Sequence, residues 1–211
     1  GGDDLSRRDE ILSVAMDVAS SEGLEGITIG RLSKAVGMSK SGLFAHFGSK
    51  EDLQTSTVDF AQERFRTEVW DRVSERLPGI VRLRWMLRTW IAHIEGCGLS
   101  GGCFFSAAAA EFDGRPGAVQ DRLVLLIRSW VDYLSQEIET SMEMGQIERG
   151  LSLERTTFQL HALVQESNLY RQLFDREDAF DLARDSIDAQ LAVIATEKGK
   201  KLLMDEMESA K

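Results

Sequence analysis

The chain has few of the residues that interrupt helices or cross-link small domains. Among its 211 residues are only two prolines, Pro78 and Pro116, and two cysteines, Cys97 and Cys103. Runs of Val, Ile, Thr and Tyr, which are typical of strands, are missing as well. Because proline breaks helices and a disulfide framework needs more cysteines, the composition predicts an all-α fold in a reducing compartment.

Long apolar runs and catalytic motifs are also missing. No stretch approaches the roughly 18 apolar residues of a membrane span, and no charged-then-apolar leader opens the sequence, which favours a cytoplasmic protein without a membrane partner. There is no HExxH, GxSxG or P-loop motif. His161 and Glu166 lie five positions apart on a predicted helix and so do not share a face. We therefore expect no catalytic residue and no cofactor, and a small helical enzyme is only a remote alternative.

Acidic residues are absent from one window of an otherwise acidic chain. The net charge is −10, yet no Asp or Glu lies between Glu25 and Glu51, where Arg31, three lysines and a histidine are found. DNA binding depends on Lys and Arg side chains that neutralise phosphates. A small basic face on an acidic body is the charge distribution of a modular DNA-binding protein.

Helix-start signals recur at short intervals along this window. Thr28 can cap one helix, with Ile27 and Leu32 at the spacing of a hydrophobic staple, and this helix is expected to end at Gly37. Ser39 then repeats the start signal only two residues later. With the amphipathic helix that precedes them, these segments predict a helix-turn-helix whose third helix lies in the major groove.

The third helix carries the kinds of side chain that a recognition helix needs. Small and polar residues at its start let the backbone approach base edges, and Gly42 there costs about 1 kcal/mol of helix propensity. The alternative is that Gly42 only packs against a neighbouring helix. Lys50, at the amide-rich start of a fourth helix, is expected to face a phosphate. The residues predicted to contact DNA are Thr28, Arg31, Ser39, Lys40, Ser41, Gly42, Phe44, Ala45, His46 and Lys50.

The stretch from Thr28 to Leu53, TIGRLSKAVGMSKSGLFAHFGSKEDL, resembles the DNA-binding signature of the TetR family of bacterial one-component regulators. The caps, the glycines and the closing Phe-x-x-Lys match, whereas the family often has Tyr at Phe44 and a larger residue at Ala45. The resemblance implies a homodimer that binds palindromic double-stranded operator DNA, usually as a repressor, and releases it when a small-molecule effector binds. It also implies a DNA-binding domain at residues 1–50 and a ligand-binding and dimerisation domain at residues 51–211.

The larger part of the sequence is typical of successive helices. The last two are predicted at residues 156–174 and 179 to about 198, and the tail after Gly199 is expected to fray. Aromatic and soft side chains on the central helices, any of which is also compatible with ordinary core, predict a pocket for an apolar or aromatic effector. The predicted effector-binding residues are Trp85, Met86, Trp90, Cys103, Phe104, Phe105, Trp130, Tyr133, Phe158 and His161.

The family resemblance also implies that the last two long helices form the dimer interface. The interface residues expected on that basis are Phe158, Leu163, Phe180, Ile187 and Leu191.

Two alternatives concern the glycine-rich segment around the cysteines. Cys97 and Cys103 could form a thiol-sensing pair or, with His93, a metal-sensing cluster, although a structural zinc site needs a fourth ligand and closer cysteines. Inert buried cysteines are the third possibility. The glycines here also satisfy GxGxxG, but a helical segment and not a strand precedes them, so a loop is favoured over a nucleotide site.

Overall fold

Helices make up 77% of the chain, which confirms the predicted all-α fold. This computed structural model describes residues 6–209, so residues 1–5 and 210–211 of the two predicted domains lie outside the described part. The elements follow in the order α1 (Arg7–Glu22), α2 (Ile29–Val36), α3 (Lys40–His46), α4 (Lys50–Phe65), a π-helical segment (Arg66–Trp70), α5 (Asp71–Ser74), α6 (Ile80–Gly96), α7 (Phe104–Phe112), α8 (Ala118–Glu143), α9 (Leu153–Leu173), α10 (Ala179–Ile194) and α11 (Glu197–Ser209).

Side-chain caps fix the starts of the first helices where the sequence predicted them. The hydroxyl of Thr28 accepts a hydrogen bond from the N–H of Arg31 at the start of α2. The hydroxyl of Ser39 accepts one from the N–H of Gly42 at the start of α3. Gly37 ends α2 in the left-handed conformation, with φ 66°. Such a residue lets the chain reverse direction between the two helices without the steric cost of a Cβ.

The described chain divides into two compact units that do not follow the order of the sequence. Unit 1 contains residues 6–65 and residues 97–127, whereas unit 2 contains residues 66–96 and 128–209. The helix-turn-helix therefore shares its unit with α7 and with the first part of α8. The functional boundary expected at residues 50 and 51 stays a prediction.

Unit 1 has one apolar core to which the DNA-binding helices and the later segment both contribute. From the first three helices come Ile11, Leu32 and Leu43, which are almost completely buried. Phe104 and Phe112 of α7 belong to the same cluster. Apolar burial is the main favourable term in folding, so α1 to α4 are stabilised by a segment from the middle of the sequence.

Unit 2 is built around α6, which packs against α9, α10, α11 and the π-helical segment. Arg84 on α6 is only 9% exposed. Its guanidinium donates two hydrogen bonds to Asp188 of α10, at 2.8 and 2.9 Å, and one to Glu206 of α11, at 2.9 Å. A buried charge is tolerated only when it is paired and hydrogen-bonded, so this arginine fixes the positions of three helices relative to one another.

The structure differs from the sequence prediction at two helices. The fourth helix, predicted to start at Lys50, ends at Phe65 and is followed by the π-helical segment Arg66–Trp70. The tail expected to fray after Gly199 belongs instead to α11, Glu197–Ser209. The backbone of Gly199 passes so close to Gln146 that a Cβ at position 199 would lie 2.0 Å from the Gln146 carbonyl oxygen. This glycine therefore marks a close backbone contact and does not end a helix.

The loop between α6 and α7 makes a similarly close contact with α1. A Cβ at position 101 would lie 1.9 Å from the carbonyl oxygen of Ser20. The N–H of Gly101 donates a hydrogen bond to the Ser20 hydroxyl, and the N–H and hydroxyl of Ser100 both donate to Asp17. Only glycine fits at position 101 without displacing one of the two backbones.

We expect Gly101→Ala to lower the free energy of unfolding by about 1–3 kcal/mol or more, because the added methyl group overlaps backbone atoms that cannot rotate away. Urea denaturation followed by circular dichroism measures the change. Gly96→Ala is the matched control, since a Cβ at that helical position meets nothing within 4 Å. Equal stabilities of the two variants would contradict the close packing of this loop on α1.

Candidate DNA-binding surface and effector region

The start of α3 presents the residues predicted to read DNA. Ser39, Lys40 and Ser41 are exposed, whereas Leu43 is completely buried and holds the helix to the core. A Cβ at Gly42 would meet only Ser39 and Met38 of its own turn, at 3.2 and 3.4 Å. Gly42 is therefore not required for contact with another helix, and its close approach to DNA stays a prediction.

The remaining predicted DNA contacts surround this start. Phe44 and Ala45 are exposed, and His46 is partly buried at the end of α3. Thr28 is exposed at the start of α2, and Lys50 is exposed at the start of α4. Lys40 lies along the beginning of α2, since its Cε is 3.3 Å from where a Cβ of Gly30 would be.

Two arginines at the start of α1 fix the ends of α2 and α3. Arg7 donates a hydrogen bond to the carbonyl of Val36, at 2.9 Å. Arg8 donates to the carbonyl of His46 and to the hydroxyl of Ser56, and its guanidinium lies 4.5 Å from the centre of the Phe47 ring. Cations stabilise the carboxyl ends of helices by pairing with free carbonyls. This role could not be predicted, because nothing local in the sequence links Arg7 and Arg8 to those carbonyls.

The basic side chains of this surface fall into two groups. Arg31 forms an ion pair with Glu22, and Lys50 forms one with Glu25, at 3.0 Å. Within residues 6–209, no acidic partner is seen for Lys34 or Lys40. Among the described residues of the helix-turn-helix, Lys34 and Lys40 thus differ from Arg31 and Lys50, each of which contacts a carboxylate.

Glu111 of α7 holds the turn that connects α1 to α2. Its carboxylate accepts hydrogen bonds from the N–H of Leu24 and of Glu25, at 2.7 and 2.9 Å. Hydrogen bonds to a charged group each contribute about 1.5–3 kcal/mol. A shift of α7 would therefore move the residues that immediately precede the helix-turn-helix, within the same compact unit.

An aromatic cluster in unit 2 brings together four of the predicted effector-binding residues. The ring of Trp90 on α6 lies 5.3 Å from the rings of both Trp130 and His161. Tyr133 joins at 6.1 Å from Trp130 and contacts Trp70 of the π-helical segment. Trp70 was not predicted, since its position on a π-helical turn leaves no periodic signal in the sequence.

His161 is the polar group of this cluster. Its Nε2 atom is buried and has no hydrogen-bond partner among the described residues. Burial lowers the pKa of His161 below its ordinary value, so the imidazole is neutral at neutral pH. An unpaired buried nitrogen beside aromatic rings is suited to a ligand with an apolar body and one polar atom.

The other predicted effector-binding residues lie elsewhere. Met86 of α6 is completely buried, whereas the indole N–H of Trp85 donates to Glu206 of α11. Phe158 is 74% exposed. The remaining three, Cys103, Phe104 and Phe105, belong to unit 1.

The expected dimer-interface residues also occupy different environments. Phe180, Ile187 and Leu191 are buried against α6 and α9 of the same chain, which leaves no surface for a second copy, and Leu163 is partly buried. The outward side of the same two helices carries other apolar residues. Phe158, Leu169 and Leu173 of α9, and Leu182 and Val193 of α10, are all exposed.

The cysteines are free thiols in unit 1. Cys103 is buried, and burial raises the pKa of the Cys97 thiol, which lowers the fraction of reactive thiolate. His93, the third member of the postulated metal cluster, instead contacts Glu68 through Nδ1, at 2.7 Å. In the described part of the chain, no group of three His, Cys, Asp or Glu side chains is placed to hold a metal ion. Nor is any described helix long and apolar enough to cross a membrane.

These features define an all-helical helix-turn-helix DNA-binding protein with a larger C-terminal helical part. The family described as "Bacterial regulatory proteins, tetR family" matches residues 11–55, and the one described as "Tetracyclin repressor-like, C-terminal domain" matches residues 79–187, just over half of the chain. The chain belongs to the TetR family of transcriptional regulators, as the resemblance of the helix-turn-helix implied.

Solved structures of the family share the fold at low sequence identity. A TetR transcriptional regulator from Chloroflexus aurantiacus superimposes with a TM-score of 0.80 and 20% identity, over 89% of this chain and 95% of the other. AibR, solved in complex with isovaleryl coenzyme A and operator DNA, superimposes with a TM-score of 0.72 and 21% identity, over 90% of this chain and 98% of AibR.

The chain is also similar in sequence to nucleoid occlusion factors called SlmA. The SlmA of Vibrio cholerae serotype O1 is 29% identical over 153 residues, which are 72% of each chain. The SlmA of Aliivibrio fischeri (strain MJ11) is 32% identical over 91 residues, and this match spans less than half of each chain.

We expect the buried imidazole of His161 to make stability fall in mild acid. The unfolded chain binds a proton below about pH 6.5, whereas the folded chain resists protonation because its pKa is lowered. The free energy of unfolding therefore decreases as the pH falls through this value. His161→Phe should reduce this decrease, and urea denaturation of both proteins between about pH 7.5 and 5.5 measures it. Parallel pH profiles would contradict the prediction.

Proposed function

We propose that this protein is a ligand-responsive transcriptional repressor that binds palindromic operator DNA as a homodimer and releases it when a small apolar or aromatic effector binds. The observation that supports this proposal best is the exposed start of α3. There Ser39 caps the helix, and Lys40 has no acidic partner among the described residues, while Leu43 holds the helix to the apolar core. A helix end of this kind combines free backbone amides with a cation, as a phosphate-lined groove requires.

In the proposed complex, Lys40, Ser41 and Gly42 enter the major groove. Phosphates are proposed to lie beside three helix ends: the start of α2 at Thr28, the end of α3 at His46 and the start of α4 at Lys50. Ala45 offers a methyl group that can contact a thymine, and Phe44 adds an apolar surface without a hydroxyl. The base preference follows from these two positions, whereas general affinity follows from the cations.

The proposed dimer uses the outward face of α9 and α10 in place of their buried face. On α9, Phe158, Leu169 and Leu173 recur at helical spacing, and on α10, Leu182 and Val193 do the same. Exposed apolar stripes on two adjacent helices mark protein interaction surfaces. A twofold axis across this face would make a four-helix interface and separate two recognition helices to match a palindrome.

The effector is proposed to bind beside Trp90, Trp130 and His161. The neutral imidazole can donate or accept one hydrogen bond, and the two indoles supply apolar area. AibR, which shares the fold, was solved with isovaleryl coenzyme A and operator DNA together, and this supports effector binding in a protein of this shape.

A second candidate function follows from the similarity to SlmA across 153 residues. It is nucleoid occlusion, for which the same helix-turn-helix would bind the chromosome without regulating an adjacent gene. Mapping the occupied chromosomal sites, together with transcript levels after deletion, separates the two functions. A repressor occupies sites beside the genes whose transcripts rise when it is deleted.

Selection of duplexes from a random pool tests DNA binding directly. The proposal predicts enrichment of a palindrome, and a lack of any enriched duplex at low salt would overturn it. For the selected duplex, we expect Lys40→Ala to weaken binding and to flatten the plot of log affinity against log salt by about 0.9 for each phosphate that is no longer neutralised. Fluorescence anisotropy over a series of salt concentrations gives both quantities.

Lys201→Ala is the matched control for this experiment, since Lys201 is exposed on α11 and its replacement removes the same charge far along the sequence. It should leave the affinity and the salt slope unchanged. Equal effects of the two substitutions would mean that net charge, and not the start of α3, governs DNA binding.

The proposed interface predicts that an aspartate in the apolar stripe separates the dimer. Val193→Asp should yield monomers at micromolar concentration and weaken binding to the palindrome by about tenfold or more, because a charge cannot be buried unpaired. Light scattering coupled to size exclusion measures the mass. Leu77→Asp, at an exposed leucine outside the stripe, serves as the control and should remain dimeric. A monomeric wild type would contradict the interface.

A further inference from the structure

Lys50, one of the proposed phosphate contacts, already forms an ion pair in the protein without DNA. Its Nζ atom lies 3.0 Å from the carboxylate of Glu25 and 3.0 Å from the backbone carbonyl of the same residue. Both side chains are nearly half exposed, at 43% for Lys50 and 47% for Glu25. The ammonium therefore sits at the surface with a carboxylate where a phosphate would otherwise lie.

Glu25 is held in this position by its surroundings. Gln54 of α4 donates a hydrogen bond to the Glu25 carboxylate and another to the carbonyl of Leu24, both at 3.1 Å. The N–H groups of Leu24 and Glu25 donate to Glu111 of α7. The pKa of Glu25 is lowered, first by the hydrogen bond from Lys50 and then by that from Gln54. The carboxylate is thus ionised and fixed next to the lysine at neutral pH.

We propose that Glu25 competes with a DNA phosphate for Lys50 and thereby sets the affinity of the helix-turn-helix for DNA. This inference rests on the proposed function, since it requires that Lys50 contact a phosphate in the complex. The Glu25 carboxylate neutralises the Lys50 ammonium and would place a second anion next to a bound phosphate, which it repels. The two anions therefore compete for the same cation.

An exchange of one anion for the other is feasible because exposed ion pairs are weak. They stabilise the folded chain only slightly and are screened by salt. Breaking the pair leaves the Glu25 carboxylate beside the DNA, where it repels phosphate and retains a cation from solution. Part of the counterion release that Lys50 would otherwise provide is thereby cancelled. Glu111 connects this turn to α7, so a movement of α7 would change how closely Glu25 approaches Lys50.

The test measures the affinity and salt dependence of Glu25→Gln for the duplex selected by the wild type. We expect about two- to fivefold tighter binding and a salt slope that is steeper by up to about 0.9. The gain should disappear in the double variant Glu25→Gln/Lys50→Ala when it is compared with Lys50→Ala alone, because the effect acts through that lysine. Fluorescence anisotropy at several salt concentrations provides the affinity and the salt slope of all four proteins.

Glu139→Gln is the matched control, since Glu139 is exposed on α8 and loses the same charge. Thermal unfolding verifies the fold of each variant. Glu25→Asp, which keeps the charge but shortens the side chain, provides a second test and should give a smaller gain than Glu25→Gln. If Glu25→Gln binds no more tightly than the wild type, or gains equally without Lys50, the inference is wrong although the wild type binds DNA. If the wild type selects no duplex, the proposed function itself fails.

Discussion

The shared apolar core of unit 1 is the constraint on which the rest of the structure depends. Three short helices bury too little apolar surface to be stable alone, since small domains bury a smaller fraction of their surface. Here Phe104 and Phe112 of α7 complete the core around Ile11 and Leu43. The DNA-binding helices are therefore joined by packing to a segment that follows α6. The positions of the DNA-binding helices therefore depend on that segment.

Hydrogen bonds around this core also connect the segment around α7 to α1 and to the turn that follows α1. Ser100 and Gly101 bind the end of α1, whereas Glu111 binds the turn between α1 and α2. Each contact involves a backbone N–H, which moves only when the chain moves. Because packed interiors transmit displacement instead of absorbing it, a small shift of α7 reaches the helix-turn-helix. The turn between α1 and α2 also contains Glu25. Both the packing of α7 and the ion pair with Lys50 therefore involve this short segment.

The starts of α2 and α3 could be predicted because capping is a local property. Thr28 and Ser39 bond to N–H groups three residues away, and sequence spacing alone indicates this. By contrast, α11 and the acidic partner of Lys50 depend on residues far apart in the sequence. The tail after Gly199 was expected to fray, although Gly199 belongs to α11 and lies close to the backbone of Gln146. The family resemblance implied a subunit interface at Phe180 and Ile187, yet both are buried within the chain. An apolar periodicity shows that a helix face is covered but not which element covers it.

By itself, the sequence determined the helical class, the helix-turn-helix and the family, because helix caps, glycine turns and apolar periodicity act over only a few residues. The tertiary structure decided which cations face solvent freely and which are paired with Glu22 and Glu25. It also decided which aromatic residues meet at Trp90 and which apolar face of α9 and α10 is left uncovered. Ion pairs and ring contacts form between residues that only folding brings together, so their identity depends on the packing of whole helices.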